Sequence, residues 1–270
     1  MPENVVDDGW AEQVREQARS QWGQDPAGGL VADRDELGSP ESFARVEAYR
    51  RQEQPWMDET FRWARFKGAR VLEIGVGLGT DHLQLGRAGA VMSGIDLTPR
   101  CVDLTARRFE QERLQTDLYV MDAEQLQFPD NSFDAVYSFG VLHHVASSER
   151  AFREVRRVLR PGGLFIGGLY SRESFFYARL VLGWALTLHC LRQPFEDRLA
   201  EIEYSTSDAR PHVRLFGREE LRELLVECGF ESVAIRRRHF GLGSLTPHIP
   251  DAVERALGRI GGWYLIHEAR

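Results

Sequence analysis

The stretch that decides the fold is VLEIGVGLGT, at residues 71–80. Its first four residues are mostly branched and apolar, which is typical of a short buried strand. Three glycines follow at alternate positions, and glycine lets backbone N–H groups approach a ligand closely. The stretch therefore predicts a strand followed by a ligand-holding turn. Its spacing differs by one residue from the G-x-G-x-x-G of dinucleotide sites, and Glu73 stands near the end of the strand.

Strand and helix signals alternate along the chain on both sides of this turn. Strands are predicted at 69–74, 91–96, 117–121, 133–139, 164–170, 231–239 and 263–269, and helices at 80–88, 99–112, 148–159 and 217–228. This alternation is typical of βαβ units, which form a mostly parallel sheet with helices on both faces. Ligands of such α/β sheets bind at the carboxyl ends of the strands.

Three further segments complete the expected organisation. Residues 1–38 are polar and glycine-containing, and we expect them to be loosely structured. A helix is predicted to open at Ser39-Pro40 and a second one to run from Pro55 to Gly68, so that residues 1–68 form a polar segment and a helical cap. Residues 69–270 form the main domain. Its insertion at 171–216 follows a strand end and is expected to be a lid.

Composition and charge limit the class of protein. The chain has 34 Lys and Arg against 41 Asp and Glu, and this net charge of −7 argues against a nucleic-acid partner. Its three cysteines are widely spaced, which favours neither a zinc site nor a disulfide framework and indicates a reducing, cytoplasmic location. The acidic N-terminus lacks the apolar core of a signal peptide.

One apolar segment, FFYARLVLGWALTLHCL at 175–191, is about as long as a minimal membrane span. It lies between segments of one α/β domain, so we expect a buried or lid helix. Peripheral contact with a membrane surface and a role in dimer contact stay open. Composition does not decide between a monomer and a homodimer.

Two carboxylates follow predicted strands and fit a nucleoside. Asp96 ends the second strand, 17 positions after Gly79, where it can accept hydrogen bonds from ribose hydroxyls. Asp122 and Ala123 close the third strand, and a carboxylate followed by a backbone N–H can address the edge of an adenine. These features suit a nicotinamide cofactor and an adenosyl cofactor equally well.

A resemblance to a known family decides between them. The series VLEIGVGLGT, GIDLTP, MDAEQLQFPDNSFD, YSFGVLHHV and EVRRVLRPGG resembles class I S-adenosylmethionine-dependent methyltransferases, in the subgroup similar to ubiquinone and menaquinone biosynthesis enzymes. The likeness is strong over about 69–170 and rests on pattern alone over 217–270. It implies a Rossmann-like α/β sheet of seven strands, with the last strand antiparallel and inserted beside its predecessor.

The resemblance also implies a binding role for individual residues. S-adenosyl-L-methionine, or its product S-adenosyl-L-homocysteine, would pack on the glycine turn, with Glu73 beneath it. Asp96 would hold the ribose, Leu97 would face the adenine, and Asp122 and the N–H of Ala123 would bind the adenine edge. Backbone carbonyls near Ser138 and Phe139 would receive the methionine ammonium. The implied cofactor-binding residues are Glu73, Gly75, Gly77, Gly79, Asp96, Leu97, Asp122, Ala123, Ser138 and Phe139.

The residues that would bind the acceptor of the methyl group are less clearly indicated by the sequence. His143 or His144 could act as a base toward an acceptor hydroxyl or amine, although a structural role in that motif is common. Tyr170 ends the fifth strand beside the insertion, whose aromatic residues favour a small hydrophobic or aromatic acceptor. No metal site is expected, because no H-x-x-x-H motif or carboxylate cluster is present.

An anionic group on the acceptor would have candidate partners in RPHVRLF. Arg210, His212 and Arg214 stand at alternate positions, and an extended backbone would turn all three toward one face. A solvated or salt-bridged edge is the alternative for this trio. Two other function classes stay open: a catalytically silent S-adenosylmethionine-binding protein and an NAD-dependent oxidoreductase.

Overall fold

A seven-stranded sheet forms the centre of the protein. The computed structural model describes residues 7–32, 37–187, 194–203, 209–240 and 251–270. The strand order is β3-β2-β1-β4-β5-β7-β6, with β7 antiparallel to both of its neighbours and the first five strands parallel to one another. The predicted fold class, including the last strand inserted beside its predecessor, is confirmed.

The strands cover these residues: β1 Arg70–Ile74, β2 Val91–Asp96, β3 Thr116–Val120, β4 Phe133–Phe139, β5 Leu159–Tyr170, β6 Val233–Arg238 and β7 Tyr264–Ala269. The helices are α1 Asp8–Gln24, α2 Pro40–Glu53, α3 Met57–Phe61, α4 Thr80–Arg87, α5 Pro99–Gln111, α6 Ser148–Val158, α7 Phe175–Leu186, α8 Phe195–Ala200, α9 Arg218–Glu227 and α10 Asp251–Gly261. Short 3-10 turns lie at Gly29–Val31, Trp63–Phe66 and Glu201–Glu203.

Both faces of the sheet are buried, because successive side chains of a strand point to opposite sides. In β4, Val136 packs into one hydrophobic cluster while Ala135 and Tyr137 pack into the other. In β5, Phe165 packs into the same cluster as Val136, and Ile166 packs into the cluster on the other face of the sheet. These central strands hold the carboxyl edge of the sheet rigidly, and this edge carries the predicted site.

The expectation of a loosely structured N-terminus was wrong. Residues Asp8–Gln24 form α1, whose N-cap Asp7 accepts a hydrogen bond from the Trp10 N–H at 3.0 Å. Its buried positions are 11, 14, 18 and 21, the spacing of a helical stripe. Two of these four residues are alanine and one is glutamine, so the apolar signal was weak. α1 packs on α5, where Arg100 donates to the backbone carbonyl of Gly23 at 3.0 Å.

Two other expectations about helices need correction. The helix predicted from Pro55 to Gly68 is divided into α3 and a 3-10 turn at Arg62, which adopts a left-handed conformation with φ +48°. Trp63 can then stack on Phe61, with ring centroids 5.1 Å apart. Helix α10, before the last strand, was not predicted.

The insertion leaves the sheet and returns at one point, because Ser171 and Phe216 form an isolated parallel bridge. Its first helix, α7, is not buried, so of the two expected alternatives, a buried helix and a lid helix, the lid helix stays a prediction; residues 188–191 of the apolar segment lie outside the described residues. Of its twelve residues, all described, only Leu180 is buried, while Leu182 and Leu186 are 62% and 76% exposed. Within the described ranges, no helix combines the length and the hydropathy needed to cross a bilayer.

Candidate active site

The glycine turn after β1 is shaped by backbone hydrogen bonds to the protein itself. The Gly75 N–H donates to the Ile95 carbonyl at 2.8 Å, and the Gly79 N–H donates to the Val76 carbonyl at 2.8 Å. The Gly77 N–H donates to the Asp96 carboxylate at 3.0 Å. The three N–H groups are therefore engaged within the protein, and we had expected them to approach a ligand.

The glycines act through the space that they leave. All three adopt positive φ angles, which side-chain-bearing residues rarely adopt. A Cβ atom on Gly75 would lie 2.2 Å from Val141, and one on Gly79 would lie 3.0 Å from Thr105. A Cβ on Gly77 would meet nothing within 4 Å. The turn therefore leaves an open space above Gly77, bordered by the carboxyl end of β2.

Asp96 is buried at the end of β2 and ties this turn to the next helix. Its Oδ1 accepts from the N–H and the hydroxyl of Thr98 at 3.0 and 2.9 Å, while Oδ2 accepts from Gly77. Burial raises the pKa of Asp96, and these hydrogen bonds act in the opposite direction. With a single hydrogen bond from the Gly77 N–H, Oδ2 keeps a lone pair for a ribose hydroxyl.

Glu73 lies beneath the turn in a buried polar chain. His82 Nδ1 lies 2.9 Å from its carboxyl oxygen, and His82 Nε2 lies 2.7 Å from the Thr116 hydroxyl. Burial, and next the nearby Asp81 carboxylate, raises the pKa of Glu73, and burial lowers the pKa of His82 to about 3. Burial thus favours the neutral form of both groups, and in that form the Glu73 hydroxyl donates to His82 Nδ1. These contacts join the end of β1 to α4 and the start of β3, and the role of Glu73 in orienting the glycine turn stays a prediction.

The end of β3 meets α1. Arg15 donates to Oδ2 of Asp122 at 2.6 Å, while Oδ1 of Asp122 accepts from the Glu124 N–H at 2.9 Å. The neighbouring Ala123 is buried, and Leu97 at the end of β2 is half-buried. Arg15 was not among the predicted site residues, since the surrounding segment was expected to lack structure.

The end of β4 contributes Ser138 and Phe139. The Ser138 hydroxyl donates to the Ile74 carbonyl at 3.1 Å, which ties β4 to β1 just before the glycine turn. The Phe139 ring turns toward the cap, with the Arg50 guanidinium 4.7 Å from its centroid. The next residue, Gly140, has a φ of +76°, and a Cβ there would again meet nothing within 4 Å. Gly77 after β1 and Gly140 after β4 therefore both leave open space, and these two strands are neighbours in the sheet.

His143 and His144 meet side chains from β5 and the insertion. The His143 ring lies 3.9 Å from the Tyr170 ring and 4.1 Å from the His144 ring, measured between centroids. His144 Nε2 lies 3.7 Å from a carboxylate oxygen of Glu203. Burial lowers the pKa of His144 to about 4 and raises the pKa of Glu203 to about 7. Glu203 had no signal in the sequence, because only the fold of the insertion brings it here.

The three candidate acceptor-binding side chains in RPHVRLF, those of Arg210, His212 and Arg214, each contact a different partner. The Arg210 guanidinium donates to the Ala209 carbonyl at 3.1 Å, and the His212 ring lies edge-on to Trp10, with centroids 5.4 Å apart. Arg214 forms ion pairs with Glu149 at 2.9 Å and Glu220 at 3.3 Å. These ion pairs argue against Arg214 as a free donor to an acceptor. Arg210 and His212 stay candidates.

This donor set fits an adenosyl cofactor. The open space above Gly77, the remaining lone pair of Asp96 and the Asp122 carboxylate lie at the carboxyl ends of three adjacent strands. A ribose needs a hydroxyl acceptor and an adenine amino group needs a carboxylate or carbonyl, and both kinds of acceptor are present.

Comparison with known proteins agrees with this fit. The family described as "Methyltransferase domain" matches residues 72–167. A demethylmenaquinone methyltransferase of Tropheryma whipplei is 30% identical over 181 residues, which cover 66% of this chain and 73% of the relative. A ubiquinone biosynthesis O-methyltransferase of Methylocella silvestris is 34% identical over 125 residues, covering 44% of this chain and 49% of the relative.

Solved structures share the fold. Magnesium protoporphyrin IX methyltransferase from Synechocystis PCC 6803, with bound S-adenosylhomocysteine, has a TM-score of 0.57 at 15% identity and covers 95% of this chain and 98% of its own. A methyltransferase from Mesorhizobium loti has a TM-score of 0.54 at 21% identity, covering 78% of this chain and 96% of its own. Fold, family match and relatives together favour an adenosyl cofactor over a nicotinamide cofactor. The chain belongs to the class I methyltransferases that use S-adenosylmethionine.

Proposed function

We propose that this methyltransferase acts on a small apolar acceptor that contains an aromatic or quinone-type ring. The observation that carries the proposal is a layer of aromatic side chains at the carboxyl edge of the sheet, between the glycine turn and the insertion. The names of the two sequence relatives, which refer to demethylmenaquinone and to ubiquinone biosynthesis, support the same acceptor class.

The aromatic layer is continuous across three strands. Phe139 at the end of β4 lies 4.7 Å from Tyr264 at the start of β7, and Tyr170 at the end of β5 lies 4.5 Å from Trp263, between ring centroids. Phe176 of the insertion adds to it, 4.7 Å from Trp263. Phe139, Tyr170 and Tyr264 are only half-buried, so their rings keep surface for a flat apolar ligand.

The residues of the chain act mainly by positioning. When bound, S-adenosylmethionine supplies an electrophilic methyl group on its sulfonium. Displacement of that methyl needs the acceptor atom in line with the carbon–sulfur bond, and positioning alone contributes about 7–11 kcal/mol in well-oriented reactions. In this proposal Gly77 leaves room for the cofactor, while Asp96 and Asp122 fix its ribose and adenine. The aromatic layer orients the acceptor.

In this proposal helix α1 and the described part of the insertion, residues 171–187, 194–203 and 209–216, exclude water from the site; together they are called the cover. The Trp22 ring of α1 lies 5.3 Å from the His144 ring, and Trp10 contacts His212 at the end of the insertion. Arg15 of the same helix pairs with Asp122. One helix thus touches the adenine side and the acceptor side of the site, and this contact supports closure of the cover over both ligands.

The exposed face of α7 supports peripheral contact with a membrane. Phe175 of α7 packs beside Gly261, at the end of α10, where Ile260 is 64% exposed. A cavity next to this surface is lined by Arg218, Ile235, Arg236, Arg237, Arg238 and Arg259. Apolar side chains beside arginines suit an anionic lipid surface, and an apolar acceptor would reside there. We place the enzyme in the cytoplasm, in reversible contact with the membrane.

Release of S-adenosylhomocysteine tests the proposed reaction. The protein is incubated with S-adenosylmethionine and a panel of phenols, quinols and polar amines. We expect turnover with ring-bearing apolar acceptors, and a KM for S-adenosylmethionine that rises at least roughly tenfold in Asp96→Ala. Turnover confined to polar amines would refute the acceptor class. Cofactor binding without turnover on any acceptor would indicate a catalytically silent binding protein.

Vesicle sedimentation tests the membrane contact separately. Binding is expected to vesicles that contain phosphatidylglycerol and to be weak with phosphatidylcholine alone. Leu186→Glu should reduce the bound fraction, whereas Val226→Glu, on the exposed face of α9, should leave it unchanged. Equal sedimentation of the two variants would contradict the assignment to α7.

A further inference from the structure

Two adjacent histidines face the same buried space near the acceptor side. In a strand, successive side chains point to opposite faces. Here β4 ends at Phe139, Gly140 adopts a positive φ, and the chain turns so that the His144 N–H donates to the Val141 carbonyl at 2.9 Å. The turn brings the rings of His143 and His144 to 4.1 Å from each other.

The insertion adds a carboxylate to this pair. Glu203 is nearly buried, with 9% of its side chain exposed. One side-chain nitrogen of each histidine and one oxygen of Glu203 lie within 4.8 Å of one another. Two elements that are far apart in sequence therefore place two imidazoles and one carboxylate around a common point.

Four buried atoms of this group have no hydrogen-bond partner in the part of the chain that the structure describes: Nδ1 and Nε2 of His143, Nε2 of His144 and Oε1 of Glu203. The separation of 3.7 Å between His144 Nε2 and Glu203 Oε1 is too long for a hydrogen bond. Buried polar atoms without partners are unfavourable, and each of them offers a lone pair or could do so. A cation at the centre of this group would accept a lone pair from each of the three side chains.

We propose that His143, His144 and Glu203 bind a divalent transition-metal cation of the zinc type. Two imidazoles and one carboxylate are a known ligand set for catalytic zinc, at metal–ligand distances of about 2.0–2.2 Å. Two ligands of one such ion lie roughly 3–4 Å apart, which matches the separation between His144 and Glu203.

The surroundings of His144 fit a metal ligand. Its Nδ1 lies 2.7 Å from the backbone carbonyl of His212 and donates to it. That hydrogen bond fixes the tautomer in which the Nε2 lone pair faces Glu203, an arrangement typical of histidine ligands to metals. Acting as ligands, the two histidines would not serve as the general base for the acceptor.

The cation would fix the insertion to the loop after β4 through Glu203. Three protein ligands leave a fourth position for water or for an oxygen of the acceptor, beside Tyr170. Contact with an acceptor oxygen rests on the proposed function, whereas metal binding does not. A bound phenol or quinol oxygen would be stabilised as an anion at this position.

Zinc affinity tests the site directly. The purified full chain is stripped with a chelator, and Zn²⁺ is titrated in competition with a chromophoric indicator. We expect one Zn²⁺ per chain, with affinity reduced at least roughly tenfold in His143→Ala and in Glu203→Gln. Glu201→Gln is the matched control, because it removes an exposed carboxylate from the same short turn, two residues before Glu203. It should bind zinc as the wild-type protein does.

Thermal unfolding separates a lost site from a lost fold. Metal-free wild type and Glu203→Gln should unfold at similar temperatures, and Zn²⁺ should raise the midpoint of the wild type only. Equal zinc affinity in the wild type, His143→Ala and Glu203→Gln would overturn the site. Zinc binding at the site with no effect on S-adenosylhomocysteine release would overturn the acceptor contact alone. Turnover with no apolar acceptor, despite zinc binding, would count against the proposed function.

Discussion

The glycine turn and the cover hold their positions by different means. The turn at residues 75–79 is held by backbone hydrogen bonds to β2 and by the Asp96 carboxylate. In the cover, backbone hydrogen bonds hold the two ends of the insertion, for example from the Arg214 N–H to the His143 carbonyl at 2.8 Å. Helix α1 is held over the site by side chains, through the Arg15–Asp122 ion pair and the packing of Trp22 on His144. Backbone hydrogen bonds fix one local shape, whereas the separate side-chain contacts of α1 can break one at a time. We therefore expect cofactor binding to depend on the rigid turn, and acceptor access to depend on movement of the cover.

The largest effect is expected in the rigid region. Gly77→Val places a branched side chain in the open space above the turn, at a φ of +54°. We expect affinity for S-adenosylhomocysteine to fall at least 100-fold, or about 2.7 kcal/mol, in calorimetric titration. Gly68→Val is the control, because Gly68 has a φ of +74° and equally open surroundings far from the turn. If both variants bind like the wild type, the turn is only structural.

A smaller loss is expected for the ribose carboxylate. Hydrogen bonds to a charged group are worth about 1.5–3 kcal/mol, so Asp96→Ala should weaken binding of S-adenosylmethionine and S-adenosylhomocysteine at least tenfold. Asp117→Ala removes an exposed carboxylate from the neighbouring strand and should change neither affinity. Unchanged binding in a folded Asp96→Ala protein would refute the ribose assignment.

Glu73 tests the buried support of the turn. Glu73→Ala leaves His82 Nδ1 without its partner and should lower the free energy of unfolding by about 2–4 kcal/mol, measured with denaturant. Glu73→Gln keeps a donor for that nitrogen, so it should cost less than about 1 kcal/mol. Because the neutral Glu73 is what donates to His82, a similar loss in both variants would indicate an ionised Glu73.

The same contrast explains what the sequence could predict. The strand and helix periods and the glycine turn are local patterns, so the mostly parallel sheet and its ligand-binding edge could be anticipated. The antiparallel last strand, inserted beside its predecessor, followed only from the family resemblance. Helix α1 was missed because its buried stripe is mostly alanine and glutamine. Glu203 and Arg15 were missed because their contacts lie far away in sequence, at His144 and Asp122. The two-residue alternation of an extended chain predicted Arg210, His212 and Arg214 on one face, but Glu149 of α6 and Glu220 of α9 engage Arg214.

The smallest effect is expected at Arg214, in the movable region. Its guanidinium already pairs with Glu149 and Glu220, and half-exposed pairs contribute up to about 1 kcal/mol each. Arg214→Ala should therefore destabilise the fold slightly and raise the KM for the acceptor less than tenfold, with cofactor affinity unchanged. Steady-state kinetics with the acceptor found above provides the check. A tenfold or larger rise in KM would restore Arg214 as an acceptor-binding residue.

Hydrogen exchange with and without S-adenosylhomocysteine tests the central claim most directly, because it follows both regions in one experiment. We expect the ligand to protect residues 75–79 and 96–98 and, at the same time, α1 and the described part of the insertion, through closure of the cover. Protection confined to the glycine turn, with the cover exchanging as it does in the free protein, would contradict the account.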